Sequence, residues 1–264
     1  MEWSEKNKYS SFNSYKGLTY FEHYKKTVGW LEGKNALPPP IECNLDPYAE
    51  CNLSCYFCIT PRYLKHNRQE VGEMRRLPAE YIYKLVDFLA NWGVKGLCIS
   101  GGGEPSLHEG TWAMPSYAVR KGMDVAFVTN AVKTSDELAE NLMLCKWVSL
   151  SVDAGDRETY LCVKGQDRFD DVLSNIKRLT MLREASRSNV ALAFCHLILP
   201  ENVGSLHKAC QLAKELGVQT FYARPVDFER KDIKGAKPLQ FDITKLQEEF
   251  ARCHDEETTS FHVF

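Results

Sequence analysis

Six short runs of near-continuous apolar residues recur along the chain, separated by segments with helical spacing or by turn residues. They are 41–45, 95–100, 124–129, 147–152, 190–199 and 218–223. Runs of this kind suit strands buried on both faces, the pattern of a parallel sheet covered by helices. The intervening segments agree. Ile82, Leu85, Val86 and Leu89 share one helical face, which Gly93 ends. A helix is expected over about 109–121, and Ser135 caps another carrying Leu138 and Leu142. Phe169, Val172, Leu173, Ile176 and Leu179 mark a helix over 169–182, and Gly217 closes one over 206–216. Six repeats are too few for an eight-fold barrel. The expectation is an α/β fold, a partial (β/α)6 TIM-like barrel of parallel strands with helices outside; a doubly wound sheet is the alternative. In either fold ligands gather at the C-terminal ends of the strands.

Two loops follow the first two strands and so meet at that end. The first reads Cys51-Asn52-Leu53-Ser54-Cys55-Tyr56-Phe57-Cys58, three thiols spaced C-x3-C-x2-C. That spacing lets one loop wrap a compact inorganic cluster. Iron–sulfur clusters are normally held by four thiolates, so three leave one iron open to a substrate or second cofactor. Tyr56 and Phe57 set aromatic bulk beside it. A structural zinc loop uses the same residue types, with Cys43 or His66 able to complete the four ligands zinc prefers. The second loop is Gly101-Gly102-Gly103-Glu104-Pro105. Its glycines let the backbone approach a small ligand closely, Glu104 offers an amine a carboxylate, and Pro105 fixes the turn. The same residues also suit an ordinary strand-to-helix connection.

With 264 residues, 44% of them apolar, the chain can build one large core. The net charge of −2 is spread without a basic block, so no nucleic-acid partner is expected. The start lacks an apolar run, and no stretch of about 18 apolar residues occurs. Neither a secretory signal nor a membrane span is expected. Ten cysteines, seven of them scattered singly, fit free thiols in a reducing, cytoplasmic compartment better than a disulfide framework. Three divisions follow. Residues 1–38 form an extension rich in aromatics and lysine, packed outside the main domain and ended by Pro38-Pro39-Pro40. Residues 39–232 form the partial barrel. Residues 233–264 hold a last helix, with Ile243, Leu246 and Phe250 on one face, and a strand-like end at Phe261, Val263 and Phe264. That end is expected either to dock as an edge strand or to begin a further domain. No second CxxC pair is present, so one cluster is expected in this chain.

On these residues the chain resembles the radical S-adenosylmethionine (SAM) superfamily. Its cluster motif matches Cys51-x3-Cys55-x2-Cys58 with an aromatic directly before the last cysteine. Its SAM-amino-group motif matches Ser100-Gly101-Gly102-Gly103-Glu104-Pro105. Residues 147–153, followed by Glu158-Thr159-Tyr160 and Lys164-Gly165, look like the fourth-strand region of the molybdopterin-biosynthesis and SPASM/twitch branch. The likeness covers about 41–225. It implies that Cys51, Cys55 and Cys58 hold three irons of a [4Fe–4S] cluster whose fourth iron chelates SAM. It further implies an electron donor such as flavodoxin or ferredoxin, reductive cleavage of SAM to a 5′-deoxyadenosyl radical, and hydrogen abstraction from a peptide or small polar substrate.

The resemblance also places residues. Phe57 packs near the adenine, and Gly102, Gly103 and Glu104 hold the amino group. Ser151 and Asp153 serve the ribose and carboxylate, and strand alternation would set both on one face. Asn130 reaches the same rim. Lys164 stands where many relatives carry arginine, a point charge in place of a bidentate fork, and Ala131 where many carry glycine. Cys195 and His196, near the end of the fifth strand, either face the substrate or serve as a core cysteine and a capped histidine, the second reading being preferred. Arg224 reads as an ion-pair partner or as a site for an anionic substrate group or SAM. Two other functions fit the same motifs: a glycyl-radical-enzyme activase, and a non-catalytic iron–sulfur or zinc protein of this fold.

Overall fold

The computed structural model describes residues 12, 16–60, 75–226 and 240–264. Trp3, Tyr9, Tyr15, His66 and the rest of the 61–74 loop lie outside them. The elements are α1 (Lys16–Thr19), α2 (Phe21–Leu31), β1 (Glu42–Leu45), α3 (Ala79–Trp92), β2 (Gly96–Ile99), α4 (Met114–Arg120), β3 (Asp124–Thr129), α5 (Asp136–Leu142), β4 (Trp147–Ser151), α6 (Arg157–Lys164), α7 (Phe169–Ala185), β5 (Ala191–Ile198), α8 (Leu206–Glu215), β6 (Thr220–Pro225), α9 (Ile243–His254) and β7 (His262–Val263). All seven strands pair in parallel, in chain order. The order never reverses, so there is no switch point of the kind a doubly wound sheet requires. The partial barrel is the fold, and the sheet stays open, with β1 and β7 at its two edges. Among the described residues no helix is long and apolar enough to cross a membrane.

Local chemistry sets the boundaries. Ser135 Oγ accepts from Leu138 N at 3.2 Å and starts α5, as its cap position predicts. Where one helix over 109–121 was expected, two 3-10 turns, Pro105–Leu107 and Glu109–Thr111, precede a shorter α4. Helix α6 was not anticipated. Its signals were present: Asp156 accepts from Thr159 N at 2.8 Å, and Gly165 closes the helix at φ 72°. Strand β7 docks on β6 through Thr220↔His262 and Phe221↔Val263, so the apolar end is an edge strand.

The two faces of the sheet differ. Along β5 burial alternates: Leu192, Phe194, His196 and Ile198 are buried, whereas Ala191, Ala193, Cys195 and Leu197 are half-buried. Leu97, Ile99, Phe127, Leu150 and Phe221 belong with the buried set and pack into one core with Ile82, Val86, Leu138 and Ile176 from the helices. Register places Ser149 beside Ala193, Ser151 beside Cys195, and Arg224 beside Leu197 on the opposite, inner face. Burial on both faces holds for β2, all four residues of which are buried, and extends to Ala126 of β3 and Ser149 of β4 on the inner face. Along β5 and β6 it does not: there the inner face is half-buried or exposed, and small and polar residues line it.

The N-terminal segment has a definite place. The Phe12 ring meets Trp147 edge-on at 5.9 Å. Lys16 Nζ pairs with Glu42 Oε2 at 2.9 Å. Burial, with the Asp124 charge, pushes the Tyr20 hydroxyl up. Glu42, Asp124 and Trp147 are the first residues of β1, β3 and β4. The segment thus lies across the N-terminal ends of the strands, not along the helical exterior.

His196 points outward from β5 toward Phe221, ring centroids 5.9 Å apart, and is fully buried. Neither ring nitrogen has a well-formed hydrogen bond, for Asn202 beside it spends its amide on Asp153 O and Leu197 O. Burial lowers its pKa to about 4. An unfolded histidine takes up its proton near pH 6.5, so between those values the unfolded chain binds more protons and stability falls as pH falls. His196→Leu is expected to reduce that acid loss by on the order of 3 kcal/mol, measured by urea unfolding at pH 7 and pH 4.5. Parallel pH profiles for the two proteins would refute it.

Candidate functional site

The cysteine loop leaves β1 and is tied down by the loops of the next four strands. Glu104 N donates to Glu50 O at 2.8 Å, after β2. After β3, Asn130 Nδ2 donates to Asn52 Oδ1 at 2.7 Å and reaches Cys51 Sγ at 3.6 Å. After β4, Ser54 N donates to Lys164 O at 3.1 Å. After β5, the Tyr56 hydroxyl donates to Glu201. Within the loop Cys58 N donates to Cys55 O at 3.1 Å. Cys51 is exposed, while Cys55 and Cys58 are half-buried. Burial pushes the Cys51 thiol up and the Cys55 thiol to about 11, against the pull of the Lys164 ammonium. Phe57 packs edge-on to Tyr56 at 5.7 Å, and Lys164 Nζ stands 5.8 Å from its ring centre.

The glycine run closes onto this loop. Glu104 is buried and both carboxylate oxygens are engaged. Thr129 Oγ1 and Ser106 N donate to Oε1 at 2.7 and 3.0 Å, and Asn130 N donates to Oε2 at 2.7 Å. Burial raises its pKa and these donors oppose the rise. One residue not singled out in the sequence, Asp46, faces the run: its Oδ2 accepts from Gly102 N at 2.7 Å. The signal was there, an acid directly after a strand and before Pro47.

The glycines differ in what surrounds them. A Cβ on Gly103 would lie 2.3 Å from Glu50 O and 2.4 Å from Tyr48 O, both backbone atoms. One on Gly102 would meet the Thr60 side chain at 2.9 Å, which can rotate away. Gly103→Ala is therefore expected to cost about 1–3 kcal/mol by overpacking, and Gly102→Ala clearly less. Thermal unfolding of the two variants checks this; equal losses would mean that the cysteine loop yields as easily as a side chain.

Asp153 and Lys164 are joined. Lys164 Nζ donates to Asp153 Oδ2 at 2.5 Å, and Leu197 N donates to Oδ1 at 2.7 Å. The side chains are 3% and 6% exposed for Lys164 and Asp153. Burial alone would lower the Lys164 ammonium, but Asp153 and Cys55 outweigh it and hold it above its ordinary value. Strand alternation does not place Asp153 with Ser151, because β4 ends at Ser151 and Asp153 turns left-handed at φ 62°. Ala131 is left-handed as well, at φ 59°, which is why a glycine suits that position. Ser151 sits half-buried on the inner face beside Cys195, and Ser149 Oγ lies 2.8 Å from Cys195 Sγ.

Cys43 lies within β1, in register with Leu97 of the outer face, and packs against the core. Among the described residues no three of His, Cys, Asp and Glu are gathered as one metal ion requires. A cubane is larger and takes thiols that stand further apart, and three thiols on a firmly tied loop suit it.

A family model described as "Radical SAM superfamily" matches residues 45–221. Mycofactocin maturase MftC of Mycolicibacterium smegmatis is 25% identical over 186 residues, which are 70% of this chain and 44% of that protein. A probable GTP 3′,8-cyclase of Pyrococcus horikoshii is 29% identical over 135 residues, 50% of this chain and 41% of that one. The present chain therefore spans less than half the length of these curated relatives. Streptococcus suis SuiB, solved with precursor peptide SuiA, superposes with a TM-score of 0.69 at 19% identity, over 96% of this chain and 54% of that one.

Proposed function

The chain belongs to the radical SAM superfamily, and on that premise we propose that it is an enzyme which cleaves SAM reductively and modifies a peptide. The observation that carries the reading is the convergence on one rim of the cysteine loop, the glycine run, Asn130 and the Asp153–Lys164 pair. Cys51, Cys55 and Cys58 would hold the [4Fe–4S] cluster; with SAM bound, that cluster supplies one-electron cleavage to a carbon radical that abstracts hydrogen.

The protein's own part is to bind, orient and shield. Gly102 and Gly103 bring backbone close enough for the SAM amino group. The Glu104 carboxylate, engaged by Thr129, Ser106 and Asn130, fixes the turn that presents them. Phe57 offers a flat face near the adenine. Ser151 and Asn130 point polar groups to the same rim. Lys164 organises Asp153 and, through its carbonyl, Ser54 of the cysteine loop. A peptide substrate is supported by the likeness to SuiB, a protein solved with its precursor peptide SuiA.

The test is anaerobic reconstitution with iron and sulfide. Brown protein with about four irons per chain, releasing 5′-deoxyadenosine from SAM under reductant, is the expected result. Colourless protein that leaves SAM intact would overturn the proposal.

A further inference from the structure

One cation on the inner face is uncommitted. Arg224 is the second-last residue of β6, near the C-terminal rim, in register with Leu197. It is exposed, and none of the ion pairs or hydrogen bonds of the described residues uses its guanidinium. Six other arginines, Arg76, Arg157, Arg168, Arg178, Arg183 and Arg252, each hydrogen-bond or pair with a named partner. The charged strand residues at the other end of the inner face are spent as well. Glu42 is held by Lys16, and Asp124 pairs with Lys146 at 3.4 Å.

We infer that Arg224 anchors a carboxylate of the substrate peptide, which deepens the peptide reading above and rests on it. The guanidinium is a planar fork that matches a carboxylate with two parallel hydrogen bonds. Its surroundings fit a peptide segment. Tyr222, two residues back on the same face and 42% exposed, offers an aromatic wall. Leu197 offers an aliphatic one, half-buried beside Arg224. Arg224 also shares this space with Cys195: burial pushes that thiol up to about 11, with Ser149 and Arg224 pulling the other way. The anion is a carboxylate and not a phosphate because the strand positions of this face, among the described residues, supply no second free lysine or arginine. A doubly charged group would call for one.

The test is equilibrium binding by ligand-observed NMR to the reconstituted full chain with SAM. Four probes are compared: an N-acetylated tripeptide with a free C-terminal carboxylate, its C-terminal amide, the amide with an internal glutamate, and inorganic phosphate. One or both carboxylate peptides should bind at least about five-fold more tightly than the neutral amide, and which of them does identifies a chain end or a side chain as the source. Arg224→Gln should erase that preference, and Arg224→Lys should restore part of it, since a charge without the fork still attracts an anion. Equal binding of charged and neutral peptides, a preference that survives Arg224→Gln, or tighter binding of phosphate than of either carboxylate would each overturn the inference. Failure of the SAM reading shows separately, as absence of 5′-deoxyadenosine from the same preparation.

Discussion

Cys55→Ala protein, reconstituted anaerobically, is expected to retain less than about one iron per chain where the wild type holds about four. SAM cleavage should vanish with it. Cys55 is the middle thiol of the three, half-buried and packed against the core. Alanine fills part of its volume and supplies no ligand, and two thiols from one loop do not hold a cubane firmly. The folded apo chain should survive, because only one sulfur is lost from a partly exposed position. Iron content, visible absorption and 5′-deoxyadenosine release read the effect, with thermal unfolding of the apo chain as the control. Undiminished SAM cleavage by the variant would end the cluster assignment.

The second large effect concerns stability. Asp153→Asn is expected to cost the apo chain about 3–5 kcal/mol, because it leaves a buried ammonium without its counter-charge. Asparagine keeps an acceptor for Leu197 N and tolerates the left-handed backbone, so neither of those losses contributes. The midpoint of thermal unfolding should fall by on the order of 10 °C. In the double variant Asp153→Asn/Lys164→Met most of the loss should be recovered, since the stranded charge is gone. That non-additivity is the signature of a direct pair. Additive losses would instead mean that the two residues act through separate neighbours.

The strands were legible because a covered face demands unbroken apolar residues, and a parallel sheet repeats that demand six times before β7. What misled was composition. Ala191, Ala193, Cys195 and Leu197 count as apolar in a sequence, yet they are only half-buried. Small apolar residues face open space as readily as they face a core, so a continuous run does not reveal which side is covered. The cysteines and glycines could be placed on one rim because each follows a strand. Their mutual ties could not, because Asn130 to Asn52 and Lys164 to Ser54 are long-range contacts with no periodic trace. Asp153 failed for a different reason. Its role depends on one positive φ, and aspartate tolerates that conformation without advertising it. The position of Phe12, Lys16 and Tyr20 was likewise invisible, since each finds its partner in a different strand.

That N-terminal segment bears on traffic. Phe12 against Trp147 and Lys16 against Glu42 cover the far ends of β4 and β1. On the proposed function, SAM and substrate would then both approach from the opposite rim, where the cysteine and glycine loops stand. Whichever molecule sat deeper would have to enter first and leave last. Product-inhibition patterns would show this as an ordered sequence.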